Sequence, residues 1–149
     1  MKHNLLLNKG PPYVPGFFQT QHREALEVAG KIAAEFSGDT VKNPDNARTQ
    51  LSALIGKLTI HLAMEDKNLY PKAEASSNED LRKMSVKLKP EMSGLAQAVV
   101  AYGKKWATPA KISADQKGFI TETKGVFDAL KKRIDVEERD FYPLVDKSI

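Results

Sequence analysis

Apolar residues recur at alternating intervals of three and four residues in four separate parts of the chain. We place these parts at about residues 17–37, 44–70, 78–107 and 114–142. The spacing gathers apolar side chains on one face of an α-helix, whereas a strand would alternate with a period of two. Short connections between such helices favour antiparallel neighbours. The pattern predicts an all-α fold, an antiparallel up-down-up-down four-helix bundle.

The regions outside the four helices give two further predictions. A Pro-rich segment, residues 1–16, precedes the first helix, and we expect it to form an extended arm. Pro71 is predicted to end the second helix, because proline lacks the amide hydrogen that continues one. At 149 residues the chain has the size of one domain, so we assign residues 1–149 to a single bundle domain.

Composition excludes several classes of protein. The chain has no cysteine, which rules out disulfides, thiolate metal sites and cysteine nucleophiles and is compatible with a reducing cytoplasm. The net charge of +4 is spread over helix faces without interleaved aromatic residues, so we expect no nucleic-acid partner. No apolar run is long enough to cross a bilayer, and we expect no membrane partner. We therefore expect a soluble, cytoplasmic protein.

One segment of the second helix is repeated in the fourth. Residues His61–Pro71 read HLAMEDKNLYP, and residues Arg133–Pro143 read RIDVEERDFYP. Glu65 aligns with Glu137, and both copies close on Tyr-Pro. The copies differ at their first position, where a histidine opens the first and an arginine opens the second.

The apolar stripes are interrupted by polar residues at one level of the predicted bundle. They are His22, His61, Glu65, Arg133 and Glu137. Buried polar groups are costly unless they satisfy one another or share a cation. His61 and Glu65 lie one helical turn apart on the same face, which allows both to bind one metal ion. Imidazole with carboxylate suits iron, manganese or zinc.

These residues resemble the hemerythrin-like, or HHE cation-binding, family. The likeness rests on HLAMEDKNLYP, on Gln21-His22 and on the final Tyr-Pro, and it covers nearly the whole chain. It implies a four-helix bundle with a non-haem di-iron centre, in proteins that bind dioxygen, handle nitric oxide or peroxide, or sense iron and oxygen. Position by position, the resemblance implies the metal ligands His22, His61, Glu65 and Glu137.

Two positions depart from the family pattern. Met92 stands where the helix-three histidine is expected, and Arg133 replaces the helix-four histidine. The site is therefore incomplete, and we expect one or two iron ions or none. Glu91, beside Met92, could supply a further ligand, whereas Met92 itself is expected to fill the core.

A metal-free arrangement is the alternative. Arg133 is always charged, and its guanidinium could lie between Glu65 and Glu137 and supply the charge that a metal would supply. The polar layer would then be a buried salt-bridge cluster, and the bundle would serve as a structural or regulatory interaction module.

For function, the pattern favours binding or sensing of iron, dioxygen or nitric oxide over catalysis. The sequence has no nucleophile with an adjacent base and no phosphate-binding loop. A weak peroxidase-like or nitric oxide-handling enzyme is a third possibility, and a small gaseous or peroxide molecule is the expected ligand. Around the site we expect Tyr102 to lie closer than Tyr70 or Tyr142, and Asp66 and Glu138 to face outward.

Overall fold

The computed structural model describes residues 13–148, so most of the predicted N-terminal arm lies outside the described residues. The described chain is mostly helical, as predicted. Its elements are, in order, α1 (Phe17–Ala33), β1 (Phe36–Ser37), β2 (Thr40–Val41), α2 (Pro44–Met64), a first π-helix (Glu65–Leu69), α3 (Tyr70–Glu74), α4 (Glu79–Lys105), α5 (Pro109–Ala114), α6 (Gln116–Val136), a second π-helix (Glu137–Phe141) and α7 (Tyr142–Ser148). Within residues 13–148, none of these helices is both long and apolar enough to span a membrane.

The first helix ends earlier than predicted. Instead of continuing to about residue 37, α1 stops at Ala33, and strands β1 and β2 form an antiparallel hairpin. Gly38 adopts φ 59° in the connecting turn, a conformation that glycine reaches without the steric penalty of a side chain. The hairpin is fixed to the start of α6, where the Val41 amide donates to Oε1 of Gln116 at 2.7 Å.

Helix α2 begins as the sequence predicts. The Asn43 side chain accepts a hydrogen bond from the Asn46 amide at 3.0 Å, and Pro44 occupies the first turn. Asparagine at this position satisfies a backbone donor that has no partner inside the helix, and proline there costs nothing because its amide would be unpaired. Further along the same helix, His61 lies on the buried face.

The prediction that Pro71 ends the second helix is wrong. The helix passes through the first π-helix into α3, which carries Pro71 in its first turn. The Tyr70 amide donates to the Glu65 carbonyl five residues back, and Pro71 has no amide to donate. The second copy repeats the arrangement, with the Tyr142 amide bonded to the Glu137 carbonyl before α7. The wider turn lets the chain accommodate a proline without breaking the helix.

The fourth predicted segment also differs at its ends. A short helix, α5, precedes it, and α6 begins at Gln116 with the Asp115 side chain accepting from the Gly118 amide. At its other end the segment continues through the second π-helix to Ser148 rather than stopping near residue 142.

A polar layer divides the apolar core. One apolar cluster contains Leu54, Leu58 and Phe119, and the other contains Phe18, Leu69 and Phe141. Along α2 and the first π-helix, Leu58 belongs to one cluster and Leu69 to the other, and the polar His61 and Glu65 lie between them.

Candidate metal centre

The structure brings the four predicted ligands together. His22 comes from α1, His61 from the last turn of α2, and Glu65 and Glu137 from the first residues of the two π-helices. One ligand atom from each lies within 4.8 Å of the others. All four residues are buried, with relative exposures of 1 to 5%. The predicted residues therefore form one compact cluster with nitrogen and oxygen donors.

Hydrogen bonds hold both imidazole rings in the orientation that a metal ligand needs. Nδ1 of His22 lies 2.7 Å from Oε2 of Glu138, and Nδ1 of His61 lies 2.7 Å from Oε1 of Gln21. Both partners are oxygen acceptors, so each Nδ1 carries the hydrogen and each Nε2 presents a lone pair. These outer partners resemble those that orient histidines in metal sites.

The two lone pairs point at each other. Nε2 of His22 lies 3.0 Å from Nε2 of His61, although with hydrogen on both Nδ1 atoms neither Nε2 can donate. Two lone pairs this close repel each other unless the two nitrogens share a proton or bind the same metal ion. A metal ion fits this requirement, because neutral imidazole binds metal through its free nitrogen.

In the described chain, each of the two carboxylates has one oxygen without a hydrogen-bond partner. Oε1 of Glu65 lies 2.8 Å from Nε2 of His61, and Oε1 of Glu137 lies 3.3 Å from Nε2 of His22. Within residues 13–148, however, Oε1 of Glu65 and Oε2 of Glu137 have no hydrogen-bond partner. Buried carboxylate oxygens without partners are strongly destabilising, so the donor set present here suits a cation.

Protonation of these groups follows from burial and mutual repulsion. Burial, followed by the charge of Glu65, raises the pKa of Glu137 well above its usual value. Burial opposes ionisation of Glu65 too, but its interactions with His61, Glu137 and Tyr142 outweigh burial and lower the Glu65 pKa. Burial and the neighbouring His61 lower the pKa of His22, which favours its neutral, metal-binding form.

The tyrosine prediction is wrong. The Tyr142 hydroxyl donates to Oε2 of Glu65 at 2.8 Å and lies 3.3 Å from Nε2 of His22, inside the cluster. Tyr102 is instead bonded to Thr123 at 2.5 Å and belongs to the apolar cluster on the far side of the polar layer. Tyr70, the counterpart of Tyr142, is buried, and no described residue bonds to its hydroxyl.

Two orienting residues were not predicted. Glu138 was expected to face outward, but its carboxylate bonds to His22 although 37% of its side chain remains exposed. Gln21 was noted only as the neighbour of His22, yet its amide oxygen orients His61 and its nitrogen donates to the Met64 sulfur. The position of Gln21 immediately before a ligand histidine was the available signal. Asp66 is exposed, as predicted.

Arg133 does not take the position that the metal-free alternative requires. Its guanidinium forms an ion pair with Glu91, and across residues 13–148 it makes no ion pair with Glu65 or Glu137. Its charge still acts at a distance, since it opposes the rise in the Glu137 pKa. Glu91 is thereby engaged with Arg133 rather than with the cluster. Met92 is buried in the apolar core, as expected.

Comparison with known proteins gives one match. The family model described as Hemerythrin HHE cation binding domain matches residues 16–145, a range that includes all four clustered residues. No curated protein and no solved structure matches the chain.

Proposed function

The chain belongs to the hemerythrin HHE cation-binding domain family, and from this we propose that it is a non-haem metal-binding protein that takes iron at His22, His61, Glu65 and Glu137. The observation that carries the proposal is the pair of imidazole lone pairs facing each other at 3.0 Å beside two buried carboxylates. The site is degenerate with respect to the family pattern, because Met92 and Arg133 stand where histidines are expected.

The donor set supports iron. Two imidazoles with two carboxylates combine the ligand types that iron, manganese and zinc accept, and an incomplete set leaves a coordination position open. Bound iron would supply that open position to a small molecule such as dioxygen or nitric oxide. The protein would orient both imidazoles through Glu138 and Gln21 and exclude bulk water by burying the cluster. We infer binding or sensing of iron, dioxygen or nitric oxide.

We also infer that the long helices form one antiparallel up-down-up-down bundle. His22, near the start of α1, contacts His61, near the end of α2. Tyr102, near the end of α4, contacts Thr123, near the start of α6. Each contact joins the beginning of one helix to the end of another, as antiparallel packing requires.

Metal analysis with thermal unfolding tests the function. The isolated protein should contain iron, and ferrous ion at a hundred times its dissociation constant should raise the free energy of unfolding by about 2.7 kcal/mol. His61→Ala should lose this stabilisation, because it removes one of two opposed nitrogens. Lys57→Ala, one turn earlier on α2 with a 42% exposed side chain, should keep it. If ferrous ion stabilises neither the parent nor Lys57→Ala, or stabilises His61→Ala equally, the proposed function is wrong.

A further inference from the structure

A small cavity, partly open to solvent, adjoins the candidate metal centre. Its volume is about 20 Å³, and His22, His61 and Glu137 line one part of it. Since a cavity needs roughly 10–15 Å³ to hold one water molecule, this one can admit a small molecule. Most of the remaining wall is aliphatic, which makes any polar group there more effective because local screening is weak.

Arg133 also lines this cavity, and one end of its guanidinium has no acceptor. Nη2 is paired with Glu91, whereas Nη1 is buried and finds no hydrogen-bond partner anywhere in the described chain. A buried guanidinium donor left without an acceptor is unfavourable. Among the described residues that line the cavity, Arg133 is the one with a permanent positive charge.

We propose that Arg133 is a specificity-determining residue, whose free Nη1 donates to a small anion of the azide or hydroperoxide class occupying this cavity beside the metal. The inference rests on the proposed function, because the anion would share the cavity with a metal held by the cluster. The observations that point to it are the cavity size, the buried unpaired donor and its charge. Arg133 would thus favour anionic ligands over neutral ones of the same size.

A second, larger cavity adjoins the small one and could admit a ligand to it. It measures about 270 Å³, is likewise partly open to solvent, and is lined by Glu65, Tyr70 and mainly small or aliphatic side chains of α2 and α4. Leu62 and Met92 line both cavities, so their side chains form the partition between them. A flexible methionine can move aside for a small molecule more easily than a histidine held by a metal.

The test uses azide as the anionic probe and nitric oxide as the neutral one. Azide is titrated into the iron(III)-loaded protein and nitric oxide into the iron(II)-loaded protein, each followed by visible absorption. In Arg133→Met the azide dissociation constant should rise by about tenfold to a hundredfold, the effect of losing one charge-assisted hydrogen bond. Nitric oxide affinity should stay within about threefold, because a neutral ligand gains little from the guanidinium.

Two further variants and three outcomes complete the test. Arg133→Lys, which keeps the charge without the guanidinium fork, should weaken azide binding less than Arg133→Met does. Arg139→Met, which removes an arginine with a 70% exposed side chain from the same repeat, should leave both affinities unchanged. Equal azide affinity in the parent and Arg133→Met, with iron bound to both, would overturn this inference alone. Equal losses for azide and nitric oxide would reduce Arg133 to a structural residue and also overturn it, whereas a parent that binds no iron overturns the proposed function itself.

Discussion

The two repeats, His61–Pro71 and Arg133–Pro143, share a backbone and differ in chemistry. Each has an α-helix that widens into a five-residue π-helix at its glutamate and resumes at Tyr-Pro. Each buries that glutamate at the same level of the core. The segment that the two copies share, from glutamate to proline, therefore adopts the same backbone conformation in both.

The residue one turn before the glutamate decides what each copy contributes. In the first, His61 directs a nitrogen lone pair into the cluster. In the second, Arg133 forms an ion pair with Glu91 and, within the described residues, makes no ion pair with Glu65 or Glu137. The two repeats thus have the same backbone conformation, but the second has a charged side chain lining a cavity where the first has a candidate metal ligand.

The tyrosines give the largest expected difference between the repeats. Tyr142→Phe should lower the free energy of unfolding of the metal-free protein by about 1.5–3 kcal/mol, because it removes a buried hydrogen bond to the Glu65 carboxylate. Tyr70→Phe should be neutral or slightly stabilising, since in the described chain its hydroxyl has no partner to lose. Urea unfolding of both variants measures the difference, and equal costs would show that the repeats use their tyrosines alike.

The glutamates should differ in pH dependence. Glu137 has a folded pKa well above its usual 4.5, so above pH 4.5 the native metal-free protein holds a proton that the unfolded chain has released. Its contribution to stability is therefore lost as pH rises from about 4.5 through the folded pKa. Glu137→Gln should remove this loss and make the metal-free protein more stable at neutral pH.

The control for the pH prediction is Glu65→Gln. The pKa of Glu65 is lowered, so its ionised form stabilises the native state above its unfolded pKa, and removing it should destabilise the protein at neutral pH. Thermal unfolding of chelator-treated protein between pH 4 and pH 8 measures both variants. If Glu137→Gln is the less stable variant, the two glutamates have been assigned the wrong roles.

The smallest effect is expected at the residue that distinguishes the repeats. Arg133→Met should cost about 0–1 kcal/mol, because its partner Glu91 has a 49% exposed side chain and such pairs contribute little. Glu91→Gln should cost the same, and the double variant no more than either, since all break one interaction. Had Arg133 joined Glu65 to Glu137, its loss would cost about 3–5 kcal/mol, and a value in that range would restore the metal-free alternative.

The sequence was sufficient to identify the four clustered residues because their positions obey helical spacing. His61 and Glu65 are four residues apart within one regular helix face, and the stripes of α1 and α6 brought His22 and Glu137 to the same level. The hairpin after α1 was missed because two residue pairs are too short to show a strand period.

The tyrosines were misplaced for a different reason. In an unbroken α-helix a residue five positions after Glu137 points roughly 140° away from it, at 3.6 residues per turn. In the second π-helix a backbone hydrogen bond joins residues five apart rather than four, so each turn contains more residues. Tyr142 therefore lies on the same side of the helix as the cluster. Pro143 signals a break in α-helical bonding but cannot tell whether the helix ends or widens.

The divided core has a consequence for how the molecule opens. Proteins exchange their amide hydrogens through local unfolding of cooperative units, which are held together by contiguous apolar contacts. Here the cluster around Phe18 and Phe141 and the cluster around Leu54 and Phe119 meet across a layer of imidazoles and carboxylates. Whatever occupies that layer joins the two units, so its loss would let one end of the molecule open while the other stays folded.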